Sequence, residues 1–138
     1  MRFMMLMIPK GYADAAPGTV PDAKAVAAMM KYNESLQKAG VLLALDGLHP
    51  LSMGARVSFA GGKPKVVDGP YAEAKEVLGG YWMIDVKSKE EAIEWAARCP
   101  ASNDEVIEVR QVQEISDFPP DVQKAAAGFE AMQGRTKA

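Results

Sequence analysis

The chain has 138 residues, of which 49% are hydrophobic and 25% charged, a composition typical of a single globular domain that folds without disulfides or a structural metal. Its net charge is −2 and its 16 Lys and Arg residues are scattered, so it lacks the basic stripe that a nucleic-acid-binding protein needs. Cys99 is the only cysteine, and no apolar stretch approaches the ~18 residues of a membrane span. We therefore expect a cytoplasmic protein that contacts no membrane.

The first part of the chain has the pattern of a strand, a helix and a second strand. Residues 3–8 form a short continuous apolar run, which is typical of a strand in the middle of a sheet. Apolar residues then recur at helical spacing, so we expect a helix over residues 21–39, with Pro21 at its first position and Gly40 ending it. Residues 41–45 predict the second strand.

The middle of the chain carries the signal of a β-hairpin. Residues 56–60 and 63–67 are strand-like. Gly61 and Gly62 lie between them, and both can take the positive φ angles that a tight hairpin turn requires. We expect this hairpin to be an insertion between two strand–helix–strand units.

The last part of the chain repeats the order strand, helix, strand. Residues 80–86 alternate in polarity as a strand does. One face of this strand carries Tyr81, Met83 and Asp85. A capping box at residues 88–91 predicts the start of a helix that Pro100 ends. Residues 106–112 predict the final strand, and a weakly amphipathic helix is expected over residues 121–133.

Two strand–helix–strand units with a hairpin between them predict an α+β fold, the ferredoxin-like split βαβ arrangement with an antiparallel sheet. The two helices can cover only one face of this sheet. The opposite face would be half apolar, and a large patch of that kind is unusual on a monomer. We therefore expect a homodimer in which the two copies pack through their sheet faces.

Two ionisable residues of this predicted fold are assigned structural roles. Asp85 lies in an otherwise apolar strand, where a carboxylate needs a partner, and Arg110 on the last strand is the expected one, either across the sheet or across the dimer interface. Cys99, at the end of the second helix, is expected to be an inert buried thiol.

Residues 68–76, DGPYAEAKE, resemble the DGPF motif, typically DGPFAETKE, of the YCII-related, DGPF-domain family. The two differences are Tyr71 in place of Phe and Ala74 in place of Thr. Further segments similar to that family are GLHP at residues 47–50, LGGYWMIDVKSKEEAIEWAARCP at residues 78–100 and IEVRQV at residues 107–112.

The resemblance covers residues 2–118 and implies that the fold is a dimeric α+β barrel. It divides the chain into a YCII-related/DGPF domain, residues 1–118, and a C-terminal helix and tail, residues 119–138. The C-terminal helix lies outside the core that the family shares.

Better-studied relatives in the YCII branch carry a His on the first helix and an Asp near the end of the second, proposed as a catalytic pair. In this chain Met29 or Met30 aligns with that His, and Cys99 lies near the position of that Asp. The pair is therefore absent, and the resemblance does not transfer its chemistry to this chain.

His49 and Asp68 are the candidate catalytic residues. His49 is the only histidine, and it follows the second strand, where loops gather. Its imidazole suits general acid–base catalysis, with Asp68 as its carboxylate partner. The structural alternatives stay open: His49 as a loop residue bonded to the backbone, and Asp68 as an acid that braces its own turn.

The rest of the motif supplies turn residues and candidate ligands. Gly69 and Pro70 are expected to shape the turn, because glycine permits unusual backbone angles and proline fixes φ. The candidate ligand-binding residues are Tyr71, Glu73, Lys75 and Glu76, with a solvated charged turn as the alternative. The sequence contains no Cys-x-x-Cys, Glu-x-x-His, P-loop or Gly-x-Gly-x-x-Gly motif, so it predicts no metal site and no bound cofactor.

Two functions are compatible with these residues. The first is a small-molecule enzyme that uses metal-free general acid–base chemistry in a pocket near the DGPY motif. The second is a non-catalytic module that binds a small ligand or engages another protein for regulation. The single histidine and the lack of a standard catalytic constellation keep the second function open, and the substrate class is left undefined.

Overall fold

The computed structural model describes residues 1–69 and 76–133. Their strands are β1 (Arg2–Ile8), β2 (Leu42–Gly47), β3 (Ala55–Ser58), β4 (Lys65–Asp68), β5 (Gly80–Asp85) and β6 (Val106–Gln111). Their α-helices are α1 (Ala23–Lys38), α2 (Lys89–Ala97), α3 (Pro120–Ala125) and α4 (Phe129–Met132). Not one of these helices has the length and apolar character needed to cross a membrane.

The main sheet has four antiparallel strands in the order β2-β5-β1-β6, and β3 and β4 form a separate hairpin. In the centre of the main sheet, Met4 lies opposite Met83 on one side and Arg110 on the other. Helices α1 and α2 each connect two strands that are not neighbours, so the two strand–helix–strand units interleave. The α+β, ferredoxin-like fold predicted from the sequence is confirmed.

The first helix starts and ends at residues suited to those positions. Asp22 is the N-cap of α1, and its carboxylate accepts a hydrogen bond of 2.8 Å from the Ala25 amide. The prediction that Pro21 is the first helical residue is wrong, because this cap begins the helix after Asp22. Gly40 ends the helix as predicted, with the left-handed φ of 74° that glycine adopts without strain.

The second helix begins at a side-chain cap. The Ser88 hydroxyl accepts a hydrogen bond of 3.1 Å from the Glu91 amide. The Glu91 carboxylate accepts from the Lys87 amide at 2.7 Å, one residue before the Ser88 amide that a capping box would use. Two amides at the entrance of α2 are thereby satisfied by side chains.

The predicted hairpin is present, but its connection is longer than the tight Gly-Gly turn expected, because strand pairing ends at Ser58 and Lys65 and a 3-10 turn, Ala60–Gly62, lies between them. Gly61 and Gly62 have left-handed φ angles of 67° and 81°. Val57 pairs with Val66 across it, and their side chains are 53% and 65% exposed. Every residue of β3 and β4 is exposed, so the hairpin stands away from the core of its own chain.

The core lies between the helices and one face of the sheet. Its fully or nearly fully buried members include Phe3, Met5, Leu36, Trp82, Ile84 and Ala92. The Tyr32 and Trp82 rings meet edge to face, with centroids 5.6 Å apart. The Tyr32 hydroxyl donates to the Trp95 carbonyl at 2.7 Å, and the Trp82 indole donates to Asn33 at 2.8 Å. These buried polar atoms therefore join both helices and the sheet.

The other face of the sheet is the one opposite α1 and α2, and it has a partly buried apolar centre formed by Met4, Leu6, Tyr81 and Met83. At the Arg2 end of this face the C-terminal segment approaches the sheet through Glu114. The predicted pair between Asp85 and Arg110 is wrong within the chain. Asp85 lies opposite Arg2 and accepts from the Met1 ammonium at 3.0 Å, whereas Arg110 lies opposite Met4 and donates to Glu108 at 3.1 Å. Asp85 and Arg110 lie on strands separated by β1 and in different rows of the sheet, so each pairs with a charged group that is closer to it.

The C-terminal segment holds two short helices instead of the single helix expected over residues 121–133. Gly128, with a φ of 91°, breaks the helical run between α3 and α4. Before α3, Glu114 accepts hydrogen bonds of 2.8 and 2.9 Å from the guanidinium of Arg2, which is only 6% exposed. This bidentate ion pair ties the C-terminal segment to the first strand.

Candidate functional site

His49 follows the end of β2 on a segment whose backbone is held from two sides. The Leu48 amide donates to the Gly79 carbonyl at 2.8 Å, and the Leu48 carbonyl accepts from the Tyr12 hydroxyl at 2.5 Å. Pro50, on the other side of His49, is fully buried. The His49 side chain itself is exposed.

The His49 imidazole makes no hydrogen bond within residues 1–69 and 76–133. The structural alternative, a loop histidine bonded to the backbone, therefore finds no partner in the part of the chain that is described.

Asp68 ends β4 beside the segment that carries His49, because its neighbour Gly69 packs directly on Leu51. The Gly69 amide donates to the Gly54 carbonyl at 3.0 Å. A Cβ on Gly69 would overlap the Leu51 carbonyl oxygen and lie 2.6 Å from its carbon. Only glycine allows this close approach. The contact places the start of the DGPY motif against the turn that follows His49.

The Asp68 carboxylate is exposed and accepts no hydrogen bond from the residues that are described. A turn brace would use the amides that follow it. The Gly69 amide is already bonded to Gly54, and Pro70 has no N–H to offer. Nothing in the described residues therefore assigns Asp68 to bracing its own turn.

The structure describes only some of the other predicted site residues. Pro70, Tyr71, Glu73 and Lys75 lie outside the described residues. Glu76 is described and is exposed to solvent.

Gly79 and Gly80, at the start of β5, pack closely against the neighbouring strands in the same region. A Cβ on Gly79 would lie 2.7 Å from the Pro9 ring. A Cβ on Gly80 would lie 2.8 Å from the Asp46 carbonyl oxygen. The Gly-Gly pair therefore lets β5 pass closely between the end of β1 and the end of β2.

A tyrosine–carboxylate pair on the free sheet face was missed by the sequence analysis. The Tyr81 hydroxyl donates to the Asp46 carboxylate at 2.8 Å. This hydrogen bond to an anion raises the pKa of Tyr81, with lesser contributions from burial and the nearby charge. The alternation of β5 placed Tyr81 on this face, but only the register of β2 against β5 shows that Asp46 lies opposite it.

Met29, one of the two residues that align with the His of the pair proposed in YCII relatives, contacts Cys99, which lies near the position of the Asp. The Cys99 thiol lies 3.9 Å from the Met29 sulfur. Burial raises the pKa of the Cys99 thiol to about 11, and the side chain is partly buried, so the inertness expected of this thiol stays a prediction. A thioether and a protonated thiol cannot perform the acid–base steps of a His–Asp pair.

Two open cavities lie away from His49 and Asp68, beside the C-terminal segment. One, of about 290 Å³, is bordered by residues that include Arg2, Asp85 and Glu114. The other, of about 440 Å³, is apolar and lies against α3 and α4. No group of three or more His, Cys, Asp or Glu side chains in residues 1–69 and 76–133 is placed to hold a metal ion.

Comparison with known proteins agrees with the motifs and the fold. An uncharacterized protein of Rhizobium meliloti (strain 1021) is 39% identical over 59 residues, which cover 43% of this chain and 48% of that protein. The matched segment therefore spans about half the length of that relative. The model of the YCII-related domain matches residues 1–116, so the chain belongs to the YCII-related domain family.

Proposed function

We propose that the protein is a small-molecule enzyme in which His49 exchanges protons with the substrate and Asp68 is its carboxylate partner. One observation carries this proposal. The packing of Gly69 on Leu51 joins the two segments, while the side chains of His49 and Asp68 stay exposed and unbonded within the described residues.

The physical argument is that these two side chains do nothing for the fold. Exposed ionisable groups without internal hydrogen bonds contribute little to the stability of a folded chain. The backbone beneath them, by contrast, is fixed by hydrogen bonds and by the close contact at Gly69. Such a rigid support with free polar groups favours recognition of another molecule.

The chemistry of the residues supports an acid–base role. An imidazole can serve as a general acid or base, and a carboxylate that bonds to it can orient it and stabilise its charged form. Because His49 and Asp68 form no hydrogen bond or ion pair in the structure, the proposed contact between them would form with the substrate bound. The hairpin that ends at Asp68 also carries the cations Arg56 and Lys65, so charge alone does not define the substrate class.

We also propose that the protein is a homodimer that packs through the free face of its sheet. Support comes from the apolar centre around Leu6 and Met83 and from polar groups at both edges, such as Asp46 and Arg110. An apolar centre with a polar rim is the usual composition of a protein interface. A second copy could enclose more of the exposed region around His49.

A cytoplasmic location is part of the proposal. Its support is that Cys99 is the only cysteine and its thiol is partly buried and protonated, which suits a reducing compartment.

A non-catalytic ligand-binding or regulatory module is the second candidate function. It is favoured by one observation, that no described residue hydrogen-bonds to either nitrogen of His49 to orient it. Catalytic histidines are commonly oriented by such a partner. Under this alternative the same surface would hold a small ligand without converting it, or engage another protein.

A thermal-shift screen of the dimer against a library of polar metabolites tests the proposal and separates the two candidates. We expect a ligand that raises the melting temperature of the wild-type protein but not of His49→Ala. Conversion of that ligand over time identifies an enzyme, and its recovery unchanged identifies a binding module. A ligand that stabilises both proteins equally would place the site elsewhere.

A further inference from the structure

We infer that Tyr12 is a positioning residue for His49, because its hydroxyl holds the peptide group that joins Leu48 to His49. This inference rests on the proposed role of His49, although the contact itself does not depend on that role. The phenol oxygen lies 2.5 Å from the Leu48 carbonyl oxygen, to which it donates. Since a peptide group is planar, fixing that oxygen also fixes the N–H and the Cα of His49.

Tyr12 is the last link in a chain of hydrogen bonds that starts at the sheet. The Gly79 amide donates to the Met7 carbonyl at 2.8 Å, and the Gly79 carbonyl accepts from the Leu48 amide at 2.8 Å. Both polar groups of the Leu48 backbone are then occupied, one by Gly79 and one by Tyr12. Of these three hydrogen bonds, the one from Tyr12 uses a side chain, and the other two join backbone groups.

The residues after His49 are held as well. Pro50 is fully buried, and its carbonyl accepts from the Met53 amide at 2.9 Å. The Leu51 carbonyl accepts from the Gly54 amide at 3.0 Å. His49 is therefore fixed at both neighbours while its imidazole remains exposed, which is how a rigid support presents a reactive group.

Tyr12 is itself well placed to act as a permanent donor. Its ring lies against Gly79, with Cδ2 3.8 Å from the point where a Cβ would stand. Partial burial raises the pKa of its phenol, so the hydroxyl keeps its proton throughout the neutral range. The loop that carries it thus provides a fixed hydrogen-bond donor to the carbonyl before His49.

A purely structural role would be to tether the loop around residues 10–22 to the turn after Pro50. The structure offers a matched control for that role, because the Ser52 hydroxyl makes a second, longer bond of 3.4 Å to the Ala15 carbonyl. This bond joins the same two turns without touching Leu48. Removing it tests tethering alone.

The experiment is ¹⁵N relaxation of histidine-labelled protein, in which His49 gives the single labelled backbone amide because it is the only histidine. In the wild type we expect the order parameter of a rigid backbone, about 0.85, and in Tyr12→Phe a fall below about 0.6. Ser52→Ala should leave the order parameter of His49 unchanged.

An unchanged order parameter in Tyr12→Phe would overturn the inference, and so would an equal fall in Ser52→Ala, which would reduce Tyr12 to a loop tether. Far-ultraviolet circular dichroism should be the same for all three proteins, because the phenol is at the surface of the fold.

The result is separable from the proposed function. If His49→Ala does not weaken the binding of any ligand found by the screen, but Tyr12→Phe still increases the mobility of the His49 amide, the proposed function fails and the positioning role of Tyr12 stands. If His49→Ala abolishes binding of the ligand found by the screen and Tyr12→Phe changes neither mobility nor affinity, the positioning role fails and the function stands.

Discussion

Gly69 lies so close to Leu51 that a side chain at this position would overlap the Leu51 carbonyl oxygen. The contact joins the two backbone segments on either side of the β3–β4 hairpin. One segment follows His49 and the other follows Asp68. This close packing explains why the second residue of the DGPY motif is glycine, because any other residue would place a Cβ there. It is also the contact that brings the two candidate catalytic residues to one region.

Replacing this glycine should separate the two segments. We expect Gly69→Ala to lower the free energy of unfolding by at least about 3 kcal/mol, because the clash is with backbone that cannot move aside cheaply. Urea denaturation measures the change. Gly54→Ala is the matched control: its Cβ would lie 3.8 Å from the same Leu51 oxygen, an ordinary contact, so its effect should stay below about 1 kcal/mol. Equal effects for both variants would contradict the account of this contact.

The side chains of His49 and Asp68 should be dispensable for folding. We expect His49→Ala and Asp68→Asn each to change the free energy of unfolding by no more than about 0.5 kcal/mol, because both groups are exposed and unbonded within the described residues. Thermal unfolding should then give melting temperatures within a few degrees of the wild type. Extensive unfolding of Asp68→Asn would show that the carboxylate braces its turn.

The Cys99 thiol should react slowly until the solution is strongly alkaline. Burial raises its pKa to about 11, so the reactive thiolate is scarce at pH 8 and increases as the pH rises toward that value. We expect alkylation by iodoacetamide at pH 8 to be on the order of 100-fold slower in the folded protein than in the unfolded chain, whose thiol has an ordinary pKa. Similar rates for the folded and unfolded forms would mean that the thiol is not protected.

The same shift has a consequence for stability. Because the folded pKa of Cys99 is raised above its unfolded value, its contribution to stability is fully present below the unfolded pKa. That contribution should be lost as the pH rises through about 11. Burial also raises the pKa of Tyr32, so the alkaline loss of stability should be larger than Cys99 alone would give.

The free face of the sheet should hold two copies together. Sedimentation of the wild type at micromolar concentration should give about twice the 14.8 kDa mass of one chain. Leu6→Lys should give the mass of one chain, because it buries an unpaired charge in the apolar centre of the interface. Met132→Lys, at a side chain that is 83% exposed on α4, should remain dimeric. A monomeric wild type would contradict the proposed interface.

Local patterns were sufficient to predict most of the fold. The polarity alternation of β5, the glycine after α1 and the Gly-Gly pair of the hairpin each act within a few residues, so the sequence alone predicts them. The prediction of a single C-terminal helix was wrong because it, too, relied on local spacing alone. The apolar spacing of residues 121–133 is helical, but Gly128 allows a left-handed break that spacing does not reveal.

The candidate site depended more on contacts between distant segments. His49 and Asp68 could be selected by residue type, whereas the support from Tyr12 depends on a hydrogen bond to Leu48, 36 positions away. The pair of Arg2 with Glu114 spans 112 positions and shows no spacing pattern in the sequence. Such partners follow from the register and packing of the sheet, which short-range patterns do not contain.

A double-mutant cycle on the ligand found by the screen tests most directly whether His49 and Asp68 form one site. The dissociation constant would be measured for the wild type, His49→Ala, Asp68→Asn and the double variant. We predict an interaction energy of at least about 1 kcal/mol, because residues that contact the same ligand are coupled. Additive losses within about 0.3 kcal/mol, the behaviour of independent positions, would contradict a shared site.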